Sequence, residues 1–281
     1  MPSPPVADLQ DAVRALVGTR LGDTARVSVW AGEPGGAAWF TREPDAQHYA
    51  ASTMKLPLLV AAYRRAERGE LDLDRPVPVH NAHRSAYDGS VFSLEQDDDQ
   101  DDETWDRLGS EVDLRTLARH AVVRSGNLAT DLLLEQVGTP EVAAVLRDAG
   151  CSPPTVLPRG IGDAVAREHR LDNLVTAADL ARVIGGVAAP TLARADTCEA
   201  VEAVLARQEH REQVPAGLPE GTYVANKTGW VDGVAHDVAL VRPDHGAPYV
   251  LAVCTTAEAD EQTLYAVNAA VSRAVWEARP A

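Results

Sequence analysis

The stretch STMKLPLLVAAY, residues 52–63, places a serine and a lysine three positions apart at the start of an apolar run. Residues three apart on a helix lie on one face, so Ser52 Oγ and Lys55 Nζ are expected to share a hydrogen bond. The run predicts a buried helix that becomes amphipathic and ends at Gly69. Ser52 then lies at the helix start, where backbone N–H groups favour negative charge on a nucleophile or an oxyanion.

Lysine is rare in this chain. Of its 26 basic residues only two are lysines, Lys55 and Lys227, and the other 24 are arginines. A buried lysine can become a neutral base, whereas arginine stays protonated, so the lysine at position 55 indicates a proton acceptor. The alternative is a coding bias towards arginine that left two lysines by chance.

Two further short motifs accompany the first. Ser125-Gly126-Asn127 precedes a predicted helix, and Lys227-Thr228-Gly229 ends a β-prone run. Ser-x-x-Lys, Ser-Asp-Asn and Lys-Thr-Gly together are the signature of class A β-lactamases and penicillin-binding proteins. The chain resembles that superfamily over nearly its whole length. The resemblance implies an α/β (α+β) fold, with an antiparallel sheet flanked by helices and an inserted all-helical subdomain.

The same resemblance implies four catalytic residues. Ser52 attacks a carbonyl after Lys55 takes its proton, which makes an acyl-enzyme. Ser125 then relays a proton to the leaving group, assisted by Lys227.

Four more residues are implied to bind the substrate. Asn127 and Thr228 orient its amide and its carboxylate, and Gly229 lets it approach the backbone closely. The N–H of Trp230 is expected to form an oxyanion hole with that of Ser52. The Trp230 side chain is expected either to narrow the acyl pocket or to pack outward.

The second motif departs from the family pattern, because Gly126 stands where an aspartate is usual. In the family that aspartate mainly braces the loop, so the sequence predicts a looser loop here. The alternative interpretation of residues 124–127 is an ordinary turn between helices, since Ser, Gly and Asn are common turn residues.

Release of the acyl group requires a carboxylate that activates water. The family pattern Arg-x-Glu-x-x-Leu-Asn is met in part: Glu168 and Leu171 keep its spacing, but Asn173 comes one residue late. Glu168 is therefore the first candidate for the deacylation base, and Asp163 the second. For both, the alternative is a solvated loop charge. If neither reaches the water, penicillins are expected to acylate Ser52 quickly and to leave slowly.

Composition restricts the partners of the protein. Hydrophobic residues make up 45% of the 281 residues and charged residues 24%, as in a globular protein, and the net charge is −16. Such an acidic chain is not expected to bind nucleic acid or an anionic membrane. The expected partner is a small-molecule acyl substrate, with no cofactor and no metal, and the oligomeric state is left open. The acidic run 95–103 is interpreted as a solvated loop that repels itself, since it lacks the ligand pattern of a calcium loop.

Cysteine usage and the chain start bear on location. Cys151, Cys198 and Cys254 are widely spaced and odd in number, which is typical of reduced thiols in a cytoplasm. Residues 6–18 predict an amphipathic helix without the basic and apolar regions of a signal peptide. No run is long enough to span a membrane. A cytoplasmic protein is predicted, the alternative being a secreted protein from which an export segment was removed.

The remaining pattern is that of one domain, residues 1–281. Residues 1–50 and about 186–281 are predicted to form the sheet subdomain, and about 51–185 the helical subdomain. A turn at residues 243–246 joins the last two of five predicted strands as a hairpin, and helical spacing runs from Glu261 to Val275. The strands are predicted at residues 26–30, 38–41, 222–227, 237–241 and 249–253.

Three functions compete on this evidence: a β-lactamase, a cytoplasmic esterase, amidase or acyltransferase of metabolism with poor β-lactam turnover, and a non-catalytic ligand-binding homologue. The first requires fast deacylation, and the second requires only acylation and a different pocket. Retention of both lysines argues against the third, because a structural domain tolerates arginine at either place.

Overall fold

The computed structural model describes residues 6–22 and 24–280 of the chain. Its helices are α1 Val6–Leu21, α2 Lys55–Glu67, α3 Asp102–Trp105, α4 Leu114–Val123, α5 Asn127–Val137, α6 Thr139–Asp148, α7 Ala164–Glu168, α8 Ala177–Ala188, α9 Ala195–Leu205 and α10 Glu261–Ala278. Its strands are β1 Arg26–Gly32, β2 Ala38–Arg42, β3 His48–Tyr49, β4 Pro76–Pro78, β5 His83–Arg84, β6 Val91–Phe92, β7 Glu111–Asp113, β8 Leu174–Val175, β9 Tyr223–Val231, β10 Val234–Arg242 and β11 Tyr249–Thr256.

The main sheet has five strands in the order β2-β1-β11-β10-β9, and every neighbouring pair is antiparallel. The hairpin β9–β10 turns at Gly233, whose φ of 72° is accessible to glycine without strain. Strand β9, which carries Lys227-Thr228-Gly229, lies at one edge of the sheet. The predicted antiparallel sheet flanked by helices is confirmed.

Helices cover both faces of this sheet because its strands are apolar on both faces. On one face, α1 and α10 pack through residues such as Val13, Val267 and Val271 against Val29 and Val253. On the other face, α8 contacts β1, β10 and β11 and α9 contacts β9, and both helices also pack against α2 in the second core. The long helices α2 and α5 lie in the interior of that second core, which explains why their sequences are apolar almost all round.

The predicted strands and terminal helices are present, with boundaries that differ by a few residues. Strand β9 continues four residues beyond the predicted end, to Val231, and α10 ends at Ala278. Ser52 does not begin an α-helix: it lies in a single 3-10 turn, Ala51–Met54, that precedes α2. The division into a sheet subdomain and a helical subdomain at residues 51 and about 186 stays a prediction.

Candidate active site

The turn that carries Ser52 is strained and closely packed. Ala51, the preceding residue, has a φ of 43°, in the left-handed region that residues other than glycine rarely adopt. On the other side, a Cβ at Gly229 would lie 2.9 Å from the backbone nitrogen of Ser52 and 2.8 Å from that of Thr53. Only glycine at this position of β9 allows the turn to lie directly against the strand. This contact brings the first and third motifs together.

Lys55 reaches the second motif. It is fully buried, and its Nζ donates hydrogen bonds to the carbonyl oxygen of Ser125 at 2.6 Å and to Asn127 Oδ1 at 2.8 Å. A longer contact of 3.5 Å joins Nζ to Ser125 Oγ. The expected hydrogen bond to Ser52 Oγ is not among those formed between the described residues. Catalytic hydrogen bonds are often long without substrate, so this difference does not remove Lys55 as a candidate base.

Lys227 approaches the same serine from the sheet. It too is fully buried, and its Nζ donates to Ser125 Oγ at 3.0 Å and to the carbonyl oxygen of Thr228 at 2.9 Å. Ser125 has a φ of 63°, so its backbone is also in the left-handed region. Strain of this kind persists where the surroundings hold it, which is common at functional sites. The chain's two lysines thus converge on one hydroxyl group.

Burial changes the proton affinity of both amines. It lowers the pKa of Lys55 to about 7, while the carboxylates of Asp99 and Asp131 oppose the shift. The pKa of Lys227 lies well below its ordinary value, first because of burial and then because of the positive charge of Lys55. Two neighbouring ammonium groups disfavour each other, so the pair can supply a neutral amine near neutral pH.

The loop at Gly126 is not loose, which corrects the prediction. A Cβ at Gly126 would lie 2.7 Å from the Cβ of Asp101, a residue that is 1% exposed. Asp101 pairs with Arg124 at 3.1 Å and accepts a hydrogen bond from Thr104. A neighbouring segment therefore fills the space beside the loop with a carboxylate, and a side chain at position 126 would collide with it.

The acidic run 95–103 is likewise not a self-repelling solvated loop throughout. Asp99 accepts hydrogen bonds from the backbone nitrogens of Asn127 at 2.7 Å and Leu128 at 2.8 Å, and from Trp105 Nε1 at 2.8 Å. Gly126 has no side chain with which to cap α5, so Asp99 caps that helix from outside. The interpretation was wrong for Asp99 and Asp101, because sequence spacing does not show that Asp99 meets backbone N–H groups and that Asp101 meets the side chains of Thr104 and Arg124.

A cavity of about 880 Å³ opens beside these residues. Ser52, Ser125, Asn127 and Trp230 line it, whereas the two lysines lie behind its wall. The Trp230 ring is half-buried and packs against His210, with ring centroids 4.7 Å apart. Trp230 lies on the cavity wall, and the expectation that its side chain narrows the acyl pocket stays a prediction.

Thr228 on β9 has an unused hydroxyl group. Thr228 Oγ1 is buried and has no hydrogen-bond partner among the described residues. A buried hydroxyl without a partner costs stability, unless a ligand supplies the missing bond. Thr228 is not among the residues that line the cavity, and the carboxylate-binding role that the resemblance implies for it stays a prediction.

The two candidate deacylation bases are placed differently. Glu168 is exposed at the end of α7 and is not among the residues that line the cavity. Asp163 lines the cavity and is fully buried, but its carboxylate caps α7 through Ala166 N at 2.9 Å and accepts from Ala86 N at 2.7 Å. Asp163 is thus already engaged in holding two segments together.

Sequence reasoning missed Asp172. It lines the cavity, is half-buried, and its carboxylate takes part in none of the hydrogen bonds between described residues. The next residue is tied to the nucleophile turn, since the carbonyl oxygen of Asn173 accepts from Ala50 N at 2.8 Å. The sequence did contain a signal for Asp172. Because Asn173 comes one residue late in the partial Arg-x-Glu-x-x-Leu-Asn motif, Asp172 stands at the position where the family pattern has asparagine.

Comparison with known proteins agrees with this geometry. The model of the Beta-lactamase enzyme family matches residues 8–278. The chain belongs to this family. The resemblance that the three motifs carry is therefore confirmed. In this family member, Ser52, Ser125 and Asn127 line one cavity, and Lys227 contacts Ser125 from behind its wall.

Individual relatives show how distant the likeness is. A beta-lactamase of Citrobacter koseri is 29% identical over 161 residues, which cover 51% of this chain and 50% of that protein. One of Kitasatospora aureofaciens is 30% identical over 155 residues, 50% of this chain and 46% of that protein. The chain thus spans about half the length of the curated relatives it matches.

Solved structures resemble the whole chain. The beta-lactamase from Sphaerobacter thermophilus DSM 20745 has a TM-score of 0.78 at 26% identity, with 95% of this chain and 96% of that one covered. PBP-A has a TM-score of 0.80 at 21% identity, with 99% of this chain and 98% of that one covered, and this likeness concerns the fold alone.

Across residues 6–22 and 24–280, no helix has the length and apolar character that crossing a membrane requires.

Proposed function

We propose that this chain is a serine hydrolase that forms an acyl-enzyme on Ser52 with a β-lactam or a related amide or ester. The observation that carries the proposal is the convergence of Lys55 Nζ and Lys227 Nζ on Ser125 Oγ, at 3.5 and 3.0 Å, beside a cavity lined by Ser52. A buried amine with a pKa of about 7 suits a general base at neutral pH. The proposed partner is a small-molecule acyl substrate, not nucleic acid or a membrane.

The acylation step uses these groups in sequence. Ser52 Oγ attacks the carbonyl carbon as Lys55 Nζ takes the hydroxyl proton, and the N–H groups of Ser52 and Trp230 stabilise the oxyanion. The carbon–nitrogen or carbon–oxygen bond then breaks. Ser125 Oγ donates its proton to the leaving group, and the lysines that contact Ser125 return a proton to it. The acyl group remains on Ser52.

Substrate orientation follows from the polar groups beside the serines. Asn127 and Thr228 are proposed to hold the amide and the carboxylate of the substrate, with Gly229 allowing close approach to β9. Support comes from Thr228 Oγ1, which is buried without a partner. A bound carboxylate would also favour the protonated form of Lys227, against the burial that lowers the pKa of its amine.

The release step is where the candidate functions separate. Glu168 is exposed and outside the cavity lining, and Asp163 already accepts two backbone hydrogen bonds, so we favour neither as the group that activates water at Ser52. We therefore favour Asp172, a cavity carboxylate that makes no hydrogen bond within the described chain, as the water-activating group. A release slower than acylation is expected, because aspartate is shorter than the glutamate of the family pattern.

Intact-protein mass spectrometry after mixing with penicillin G tests the proposal. A transient adduct of one penicillin per chain, with product formed, indicates a β-lactamase. A persistent adduct indicates the alternative of a metabolic amidase, esterase or acyltransferase with poor β-lactam turnover. The Ser52→Ala variant is the control and must give no adduct. Absence of an adduct with both penicillin and an activated ester would contradict the proposal and favour a non-catalytic homologue.

A cytoplasmic location is part of the same proposal. It is supported by Cys151, Cys198 and Cys254, which are all unpaired, as thiols are in a reducing compartment. Cell fractionation of the source organism checks it. Recovery of the protein outside the cytoplasm would contradict this part while leaving the acyl-enzyme mechanism intact.

A further inference from the structure

A second cluster of reactive side chains lies outside the cavity, where the segment between β4 and β5 meets helix α5. His83 Nδ1 is 2.7 Å from Glu135 Oε1, and His80 Nε2 is 3.2 Å from Glu135 Oε2. One ligand atom from each of the three residues lies within 4.8 Å of the other two. The His-x-x-His spacing and the distant glutamate are brought together only by the fold.

These donors are those that zinc prefers. Zn²⁺ binds histidine nitrogen and carboxylate oxygen at about 2.0–2.2 Å, so two ligands of one tetrahedral ion lie roughly 3.3 Å apart. Each histidine already contacts one oxygen of Glu135, with nitrogen–oxygen distances of 2.7 Å from His83 to Oε1 and 3.2 Å from His80 to Oε2. Small side-chain rotations would direct the three donors at one ion.

Burial is graded across the cluster. The His83 side chain is 2% exposed, whereas those of Glu135 and His80 are 32% and 42% exposed. One ligand is thus fixed by packing, and two are open to solvent, which gives an ion an entry path and leaves water a fourth position.

The cluster is linked to the cavity wall through α5. Asp131 lies one turn before Glu135 and accepts hydrogen bonds from Ile161 N at 2.7 Å and Gly162 N at 3.0 Å, two residues that line the cavity. Burial raises the pKa of Asp131, and the charge of His83 opposes that shift. A divalent ion beside His83 would act in the same direction as that charge and favour the ionised carboxylate that holds the wall.

We propose that His80, His83 and Glu135 bind one Zn²⁺ ion, which joins the β4–β5 segment to α5. The ion is structural, with water as its fourth ligand, and it takes no part in the chemistry at Ser52. The proposal is independent of the substrate of the enzyme.

Zinc binding to the full chain, measured by isothermal titration and by metal analysis after dialysis, tests the proposal. One equivalent of zinc is expected, with a higher Tm in zinc than in chelator. His80→Ala and Glu135→Gln are each expected to weaken binding at least tenfold, because each removes a ligand. His80 and Glu135 are partly exposed, so these changes do not put folding at risk, unlike a change at the buried His83.

Two matched controls make the result specific. His245→Ala removes an exposed histidine from the β10–β11 turn, and Cys151→Ser removes the thiol that is least buried. Both must keep the wild-type affinity. Lack of zinc binding by the wild type, binding that survives in either ligand variant, or binding lost in the Cys151→Ser variant would each overturn the assignment.

Discussion

The two serines of the acylating residues line the same cavity as part of the α7 segment, yet the acylating residues and that segment are held in different ways. Lys55 and Lys227 are completely buried, and each donates hydrogen bonds to the second motif. Glu168, at the end of α7, is exposed and lies outside the cavity lining. The comparison teaches that the proposed attack on a substrate uses buried, hydrogen-bonded lysines. The proposed release depends instead on a carboxylate that the neighbouring loop places on the cavity lining.

Ser52→Ala gives the largest expected effect. Removal of the hydroxyl is expected to abolish acylation, since Ser52 Oγ is the proposed nucleophile. The free energy of unfolding should change by no more than about 1 kcal/mol, because Ser52 Oγ makes none of the hydrogen bonds between described residues. Mass spectrometry with penicillin G and thermal unfolding measure the two quantities. Wild-type turnover in this variant would remove the whole mechanism.

Lys55→Arg is the next test, with Lys55→Ala as its matched control. Both are expected to slow acylation roughly 10²–10⁴-fold, because guanidinium keeps the charge but cannot accept the proton. In the wild type the acylation rate should rise as pH increases through about 7, since only the neutral amine is a base. Stopped-flow acylation across pH 5–9 checks both. An arginine variant that keeps wild-type activity would show that the rarity of lysine reflects only coding bias.

Asp172→Asn addresses the other half of the comparison. It should preserve the initial burst of one equivalent and reduce steady-state release roughly 10²–10⁴-fold, as expected for loss of a general base. Glu168→Gln, an exposed neighbour on the same segment, is the control and should leave release unchanged. Asp163→Asn should instead lower stability, because it weakens a helix cap. If release falls with Glu168→Gln and not with Asp172→Asn, the sequence-based choice of base is right.

How much of this was visible in the sequence differs between the two halves. The acylating motifs are short and strictly spaced, so Ser52, Lys55, Ser125 and Lys227 could be chosen from their order alone. The strands followed from β-rich runs with turn residues between them. What spacing could not show was contact across the fold.

The second motif illustrates that limit. From the sequence alone, Gly126 suggested a loose loop. The residue that fills the space beside it is Asp101, which the local pattern does not show because it lies 25 positions earlier in the chain. Asp99 caps α5 from the same acidic run, which looked from composition like a solvated surface. Local patterns report the charge of such a run, but only the tertiary structure decides which of its acids face backbone N–H groups.

Gly126→Ala tests whether Asp101 holds the acylating half rigid. The added methyl group would collide with Asp101, so a loss of about 1–3 kcal/mol in the free energy of unfolding is expected, as for other overpacked interiors. The acylation rate should fall, since Ser125 is the residue next to the strained position. The rate of release should change less, so the ratio of the release rate to the acylation rate should rise. Gly18→Ala is the control: Gly126 has a φ of −60°, and Gly18, an exposed glycine of α1, also lacks a positive φ, but an added Cβ there meets nothing within 4 Å. Denaturant unfolding of the two variants would contradict the account if Gly126→Ala were as stable as wild type.

The smallest expected effect concerns the cavity mouth, where five exposed acids from three segments lie on the lining: Glu95, Asp97, Asp98, Asp232 and Glu261. An unscreened charge pair in water is worth only about 1 kcal/mol at 4 Å, so a penicillin with an α-amino group should acylate roughly fivefold faster than its desamino counterpart. Both compounds carry the same carboxylate, so the ratio of their acylation rates isolates the effect of the added positive charge.

The preference for the α-amino penicillin should shrink in 0.5 M salt, because salt screens exposed charges. Second-order acylation rates at low and high salt provide the measurement. A ratio that does not change with salt would assign any preference to the shape of the pocket beside Trp230, and a ratio below one would show that the acidic mouth does not select the substrate.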